Sequence, residues 1–355
     1  MGCQLWPLDS ETRIWPPLCR QEGGRLAARS LRRLVSVEDR LPDLLMPGWF
    51  DELFRALHVM GFRDRSRPRL PRNLWVFVYD WTRSNRVTGQ ALAAFVREIL
   101  QTHNSLHPQE PWSDVDVVCH SMGGLVTRAA INLFGAPVRR TVYLASPHYG
   151  ASLAYFALRS GVGGLPMAWR LLAGMVGVPV WRQFLRQPDD FVRLEEQLSW
   201  LVTRLPSVYE LLPDEFYLTE TRPVVLLRSR TEVTPVIGAA DTYLANPASR
   251  FDDPEHRERV EAAMAFKREL GRELPGESLV IYSASAATPD QVVHHFGRFG
   301  SPYDSGQHGD EVVPAASAAA GPAGTPVQAA HGALPNVLPT HLLIDRFLQE
   351  ACERR

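Results

Sequence analysis

The chain has 355 residues, of which 45% are hydrophobic and 22% charged, and its formal net charge is −1. That length buries a large core, either in two domains or in one α/β domain carrying an inserted subdomain. The near-neutral charge excludes the electrostatic footprint of a nucleic-acid binder, and the apolar fraction excludes an acidic disordered chain, so neither nucleic acid nor another polyanion is expected as a ligand.

Residues 1–40 read as an N-terminal segment outside the core. It begins MGCQLWPLDSETR, without a basic start followed by an apolar stretch, and Trp6 stands where a myristoylation signal has Ser or Thr. The four cysteines, Cys3, Cys19, Cys119 and Cys352, share no CxxC spacing, and two lie near the chain ends. Neither a zinc site nor a disulfide framework follows, which fits a reducing compartment, and a cytoplasmic location is expected.

Residues 41–150 read as the first half of an α/β core. DLLMPG at 43–48, LWVFVY at 74–79, VDVVC at 115–119 and TVYLAS at 141–146 are short apolar runs without alternation, as expected of strands buried on both faces of a parallel sheet. ALAAFVREIL and LVTRAAINLF supply helical patterns between them. Residues 151–220 are rich in Leu, Trp and Arg at helical spacing and read as an inserted helical cap. Its most apolar window, LLAGMVGVPVW at 171–181, is bounded by Arg170 and Arg182 and falls well short of the roughly 20 residues needed to cross a bilayer. The flanking Trp169, Trp181 and Trp200 add apolar surface that fits a lid touching a membrane or lipid interface transiently.

Residues 221–355 read as the second half of the core. PVVLLRSR predicts one strand, FDDPEHRERVEAAMAFKREL an exposed helix, LVIYSA at 279–284 another core strand, and AASAAAGPAGT at 315–325 a helix running into a loop, or else a flexible segment. THLLIDRFLQEACERR predicts the terminal helix. No fixed-period repeat is present, which excludes solenoids and propellers. His294 and His295 in VVHHFGRFG have no carboxylate or cysteine at ligand spacing, so no metal is expected there, and no cofactor is implied.

VDVVCHSMGGLV at 115–126 carries the chemistry. A nucleophile held at strained backbone angles between a strand and a helix needs small neighbours, and Ser121 sits in that place with Gly123 two residues after it. Cys119, still small, stands where the G-x-S-x-G pattern has its first glycine. Met122 opens the helix, so its N–H faces the reacting centre as an oxyanion donor. A helix N-cap serine in a tight turn would be the bland account.

Partners in the order Ser, acid, His exist downstream: Asp310 in HGDEVVP, and His331 in PVQAAHGALPN before the terminal helix. Glu311 and His308 flank the acid position, and His341 falls inside the terminal helix and reads as structural. The second oxyanion donor would come from the turn after an early strand, where LLMPGW offers the N–H of Trp49.

These motifs together resemble the lecithin:cholesterol acyltransferase and lysosomal phospholipase branch of the α/β-hydrolases. MPGW resembles its early Pro-Gly turn, VYDWTRSN at 78–85 its Tyr-Asp-Trp-Arg segment and CHSMGGLV its nucleophile elbow. ASPHYGAS resembles the stretch after the next strand, PSVYELLP at 206–213 the end of the cap, and GDEVVP the acid motif. The resemblance covers roughly residues 41–350 and implies an α/β-hydrolase fold with Ser121 as nucleophile, Asp310 as acid, His331 as base, and the amides of Trp49 and Met122 as oxyanion hole. It departs at Thr82, where the family has arginine, and at Glu311 and Cys119, where it has glycine. The expected activity is hydrolysis of an acyl ester or lipid, with acyl transfer sharing the same intermediate; the alternatives are an amide or thioester hydrolase or acyltransferase of a biosynthetic pathway, or a noncatalytic interaction protein that kept the fold.

Overall fold

In VDVVCH every side chain is apolar, small or destined for a strand end, and the segment forms β1 (Val115–His120). The computed structural model describes residues 50–64, 72–161, 199–200, 202–244, 255–295, 298–299 and 308–349. The N-terminal segment, the run DLLMPG, Trp49 and the cap window LLAGMVGVPVW with Trp169 and Trp181 lie outside the described residues.

Among the described residues, α1 (Asp51–Val59) and α2 (Asn85–Leu106) precede β1. The Ser84 hydroxyl accepts from the Arg86 N–H and so caps α2. After β1 come α3 (Gly123–Asn132), β2 (Val138–Leu144) and α4 (Ser152–Ser160). A short helix α5 (Pro206–Tyr209) leads to β3 (Val225–Arg228) and β4 (Val233–Val236). Then follow α6 (Ala239–Tyr243), α7 (His256–Leu270) and β5 (Glu277–Tyr282). The chain next runs through β6 (Ala286–Ala287), β7 (Val292–His295), β8 (Arg298–Phe299) and β9 (His308–Gly309). It ends with α8 (Ala315–Ala318), β10 (Thr325–Pro326) and α9 (Leu338–Gln349).

The central sheet has the order β1-β2-β5-β10, and all of its pairings are parallel. His120 pairs with Leu144 and Leu144 with Ile281, so the C-terminal ends of these strands lie level. In open parallel sheets that edge is where loops gather functional groups. Val142, Leu144 and Ile281 pack with Leu334 and Ile344 on one side of the sheet, while Val126 and Ala130 of α3 join Leu92, Ala93 and Val96 of α2 in another cluster. β3 is held between β4, antiparallel, and β7, parallel, in a second small sheet, and β6 pairs with β9.

Two expectations are corrected. LWVFVY at 74–79 forms no ladder with a strand among the described residues. A cavity of about 610 Å³ is lined by residues of both this segment and β1, among them Trp75, Phe77, Tyr79, Val115, Val117 and Cys119. A ladder needs strands about 4.8 Å apart, and across that gap neither segment serves as the other's neighbour. The charged helix α7 is not simply exposed: Val260, Ala263, Met264, Phe266 and Leu270 form a buried face. The small-residue stretch after Pro314 forms a short helix, α8, that runs into a loop as expected.

Candidate active site

β1 ends at His120 and α3 begins at Gly123, and in the turn between them Ser121 adopts φ 55°. A non-glycine residue with such a backbone is strained and persists only where its surroundings hold it. Here the Ser121 N–H donates to the Leu144 carbonyl at 2.8 Å, and the Ser121 carbonyl accepts from the Gly124 N–H at 2.9 Å. The turn is thereby tied to β2 and to the first turn of the helix.

The need for small neighbours falls elsewhere than the pattern implies. A Cβ on Gly123 would sit 3.6 Å from the Cβ of Cys119, an ordinary contact, so cysteine is accommodated where glycine is usual. A Cβ on Gly124 would lie 2.2 Å from the Ser146 Oγ, so Gly124 is what lets α3 approach the end of β2. Cys119 does not compete as a nucleophile, because burial pushes its thiol up to about 12.

His331 and Asp310 meet Ser121 at this edge. The His331 Nε2 is 2.8 Å from the Ser121 Oγ, and its Nδ1 is 2.7 Å from the Asp310 Oδ2. A carboxylate only accepts, so Nδ1 carries the proton and Nε2 is free to take one from the serine. All three side chains are buried. The other Asp310 oxygen accepts from the N–H groups of Val312 at 3.0 Å and Val313 at 2.7 Å, which fixes the carboxylate plane. The His331 N–H donates to the Asp310 carbonyl at 2.9 Å.

The acid reaches this place through the excursion β6 to β9, closed by the pairing of Ala286 with Gly309. Glu311 turns away at φ 81°, its N–H donating to the Thr288 Oγ1 at 3.0 Å. His308 is exposed, and the His341 Nε2 donates to the Pro335 carbonyl at 2.9 Å, away from the serine. His294 and His295 end β7, and their side chains lie outside the described part. Among the described residues no three His, Cys, Asp or Glu side chains gather as a metal site.

Met122 is the N-cap of α3, and among the described residues its N–H donates to no backbone carbonyl. Trp49 lies outside the described residues, but its successor Phe50 sets its ring edge-on to His120 with centroids 5.8 Å apart.

Other singled-out motifs meet around the site. Glu210 of PSVYELLP accepts from the Ser84 hydroxyl and from the Asn85 N–H, both at 2.6 Å, joining that motif to YDWTRSN at the start of α2. Burial pushes the Glu210 carboxyl up, and these two bonds oppose the shift. Thr82, at the family's arginine position, uses its N–H at 3.0 Å and its hydroxyl at 2.6 Å to bond Asp80. Gly150 of ASPHYGAS has φ +104°, and a Cβ there would lie 2.4 Å from the Leu212 carbonyl. The Ser317 hydroxyl of α8 donates to the Gly150 carbonyl at 2.5 Å, joining this stretch to the segment after Asp310. Thr288, Gly124 and Ser317 were not singled out in the sequence; of these, only the Gly-Gly doublet left a visible signal.

The architecture is that of an α/β-hydrolase: a mostly parallel sheet flanked by helices, with a strand-turn-helix at Ser121. Among protein families, the one described as a PGAP1-like alpha/beta domain matches residues 70–157, a span that includes β1, the Ser121 turn and β2. No match was found among curated proteins. Among solved structures, the chain is similar to the mature lipase BlEst2 of Bacillus licheniformis, at 16% identity over 76% of this chain and 74% of that one, with a TM-score of 0.29. No described helix is long and apolar enough to cross a membrane.

Proposed function

We propose that this chain is a serine acyl-ester hydrolase of the lipase or esterase type, with Ser121 as nucleophile, His331 as general base and Asp310 as the acid that orients it. The observation that carries the reading is the unbroken hydrogen-bond chain from the Ser121 Oγ through both nitrogens of His331 to Asp310, centred on a residue held at positive φ. A core serine that merely packs or caps a helix needs neither the strained backbone nor the carboxylate-bound imidazole.

In the reaction, the His331 Nε2 takes the hydroxyl proton as the Ser121 Oγ bonds to the ester carbonyl carbon. Asp310 accepts the hydrogen bond from Nδ1–H throughout, without taking the proton, and stabilises the imidazolium. The carbonyl π electrons move onto the oxygen, whose charge is met by the Met122 N–H and, on the sequence reading, by that of Trp49. Collapse breaks the bond to the leaving alkoxide, which receives the proton from His331. Water, activated by the same histidine, then releases the acid; an alcohol in its place gives acyl transfer.

The resemblance to the lecithin:cholesterol acyltransferase and lysosomal phospholipase branch supports a lipid ester as substrate, with the cap in transient contact with the lipid interface. The test is kcat/KM for a chain-length series of p-nitrophenyl esters above and below the aggregation threshold. Medium and long acyl chains should be preferred to acetate, with a gain at the interface. A steady fall from acetate upward, with no such gain, would overturn the lipid assignment.

A further inference from the structure

His120 closes β1 directly before Ser121, and its Nε2 lies 3.0 Å from the carbonyl oxygen of His331. A carbonyl only accepts, so the proton of the His120 ring resides on Nε2. The other nitrogen, Nδ1, is buried and has no hydrogen-bond partner among the described residues, which agrees with that tautomer. The two imidazoles face each other with centroids 4.7 Å apart and planes inclined at 44°. The Phe50 ring closes the opposite side edge-on.

We infer that His120 is a positioning residue for the general base, tying the strand that delivers the nucleophile to the loop that delivers His331. The inference rests on the triad reading above. The His331 main chain is gripped from two directions: its N–H by the Asp310 carbonyl and its C=O by the His120 Nε2–H. With both backbone groups fixed, the ring turns only about its side-chain bonds, and its two nitrogens stay aimed at Ser121 and Asp310. Without the His120 donor, a buried carbonyl loses its partner and the base loop loses a side-chain hydrogen bond to the nucleophile strand.

The tie must also be electrically neutral to be compatible with catalysis. An imidazolium forms on His331 during acyl transfer, and a second cation 4.7 Å from it would oppose that step. Burial, reinforced by the neighbouring His331, pushes the His120 ring well below the ordinary histidine range, so it stays an uncharged donor at neutral pH.

The test compares kcat and KM for a p-nitrophenyl ester in the unmodified protein and in His120→Phe, His120→Gln, His120→Asn and Ser121→Ala. Phe keeps a ring against His331 but has no donor. The Gln amide reaches the place of an imidazole Nε2, whereas the Asn amide falls short of it. The expectation is a loss on the order of 10²-fold in kcat for Phe and Asn, the scale of a misplaced catalytic group, with KM little changed. Gln should recover most of that loss. Unmodified kcat in both Phe and Asn, or a Gln variant as slow as Asn, would overturn the inference. If Phe fails to fold, the Gln and Asn pair decides alone, because the two differ in reach and not in chemistry. Activity surviving in Ser121→Ala would condemn the triad reading itself, whereas activity lost there but intact in the Phe and Asn variants would condemn only the role of His120.

Discussion

At the N-terminal end of β1 and β2, Asp116 accepts from the Nη2 atoms of Arg139 at 2.7 Å and Arg140 at 2.8 Å; at the C-terminal end of the same strands, Ser121, His331 and Asp310 form a chain of similar lengths. The first cluster joins adjacent strands through residues close in sequence, and the Arg140 Nη1 extends it to the Phe347 carbonyl of α9 at 2.7 Å. None of its three residues has a positive φ. The second cluster gathers residues from three distant segments and holds one of them at φ 55°. On the proposed reading, the first cluster serves stability through opposite charges, and the second serves chemistry through a strained serine and an imidazole beside its hydroxyl. The two ends should therefore respond oppositely to mutation.

The largest effect belongs to Ser121→Ala. Turnover of an acyl ester should fall by about 10⁴ to 10⁶, while the thermal midpoint stays level or rises, since the hydroxyl contributes chemistry and not packing. His331→Ala should be about as damaging. Asp310→Asn should cost on the order of 10⁴ in kcat, because a carboxamide presents the imidazole with the wrong tautomer preference. His341→Ala, which removes only a bond to the Pro335 carbonyl, should be mild by the same assay, and a reversal of the two histidines would move the base to His341.

A smaller effect, felt by both properties, is expected where α3 meets β2. Gly124→Ala brings a methyl group onto Ser146 and should cost about 1–3 kcal/mol in chemical denaturation, with activity falling as the serine turn shifts. Gly123→Ala, with room at 3.6 Å, should be far better tolerated. Equal costs at the two positions would contradict the close approach assigned to Gly124.

At the other end of the strands the expectation inverts. Burial alone would raise the Asp116 carboxyl, but the bonds from Arg139 and Arg140 outweigh it and hold the group below its ordinary value of 3.8. The folded value is thus lower than the unfolded one, so this stabilisation is present at neutral pH and is lost as the pH falls below about 4. Asp116→Asn should cost about 2 kcal/mol at pH 7, leave kcat/KM unchanged and flatten the acid limb of the stability profile. A loss of turnover without a loss of stability would break the contrast between the two ends.

What the sequence made legible follows from how local each signal is. Ser121 was readable because strand, small residues and helix all fall within VDVVCHSMGGLV. Asp310 and His331 were readable from chain order and composition, which stand in for the topology that carries both to the same sheet edge. The bond from His120 to the His331 carbonyl spans 211 positions and joins a side chain to a backbone atom, so no residue pattern marks it. LWVFVY shows why apolarity alone does not make a strand: the run predicts burial, but a ladder depends on a neighbour that its own residues do not encode. In α7 the charges of HRERVEAAMAFKREL masked a buried face spaced at Val260, Ala263, Met264 and Lys267. The pattern of small residues around Ser121 was visible, but which glycine was indispensable depended on the distance from α3 to Ser146.

The central claim is that Ser121 is a nucleophile activated by His331, and its most direct test is labelling of the folded protein with a fluorophosphonate, read by intact mass and peptide mapping. The account predicts one adduct, on Ser121, formed quickly in the unmodified protein, slowly in His331→Ala and not at all in Ser121→Ala. A folded protein that takes up no label, or one whose label maps to another residue and persists in Ser121→Ala, would contradict it.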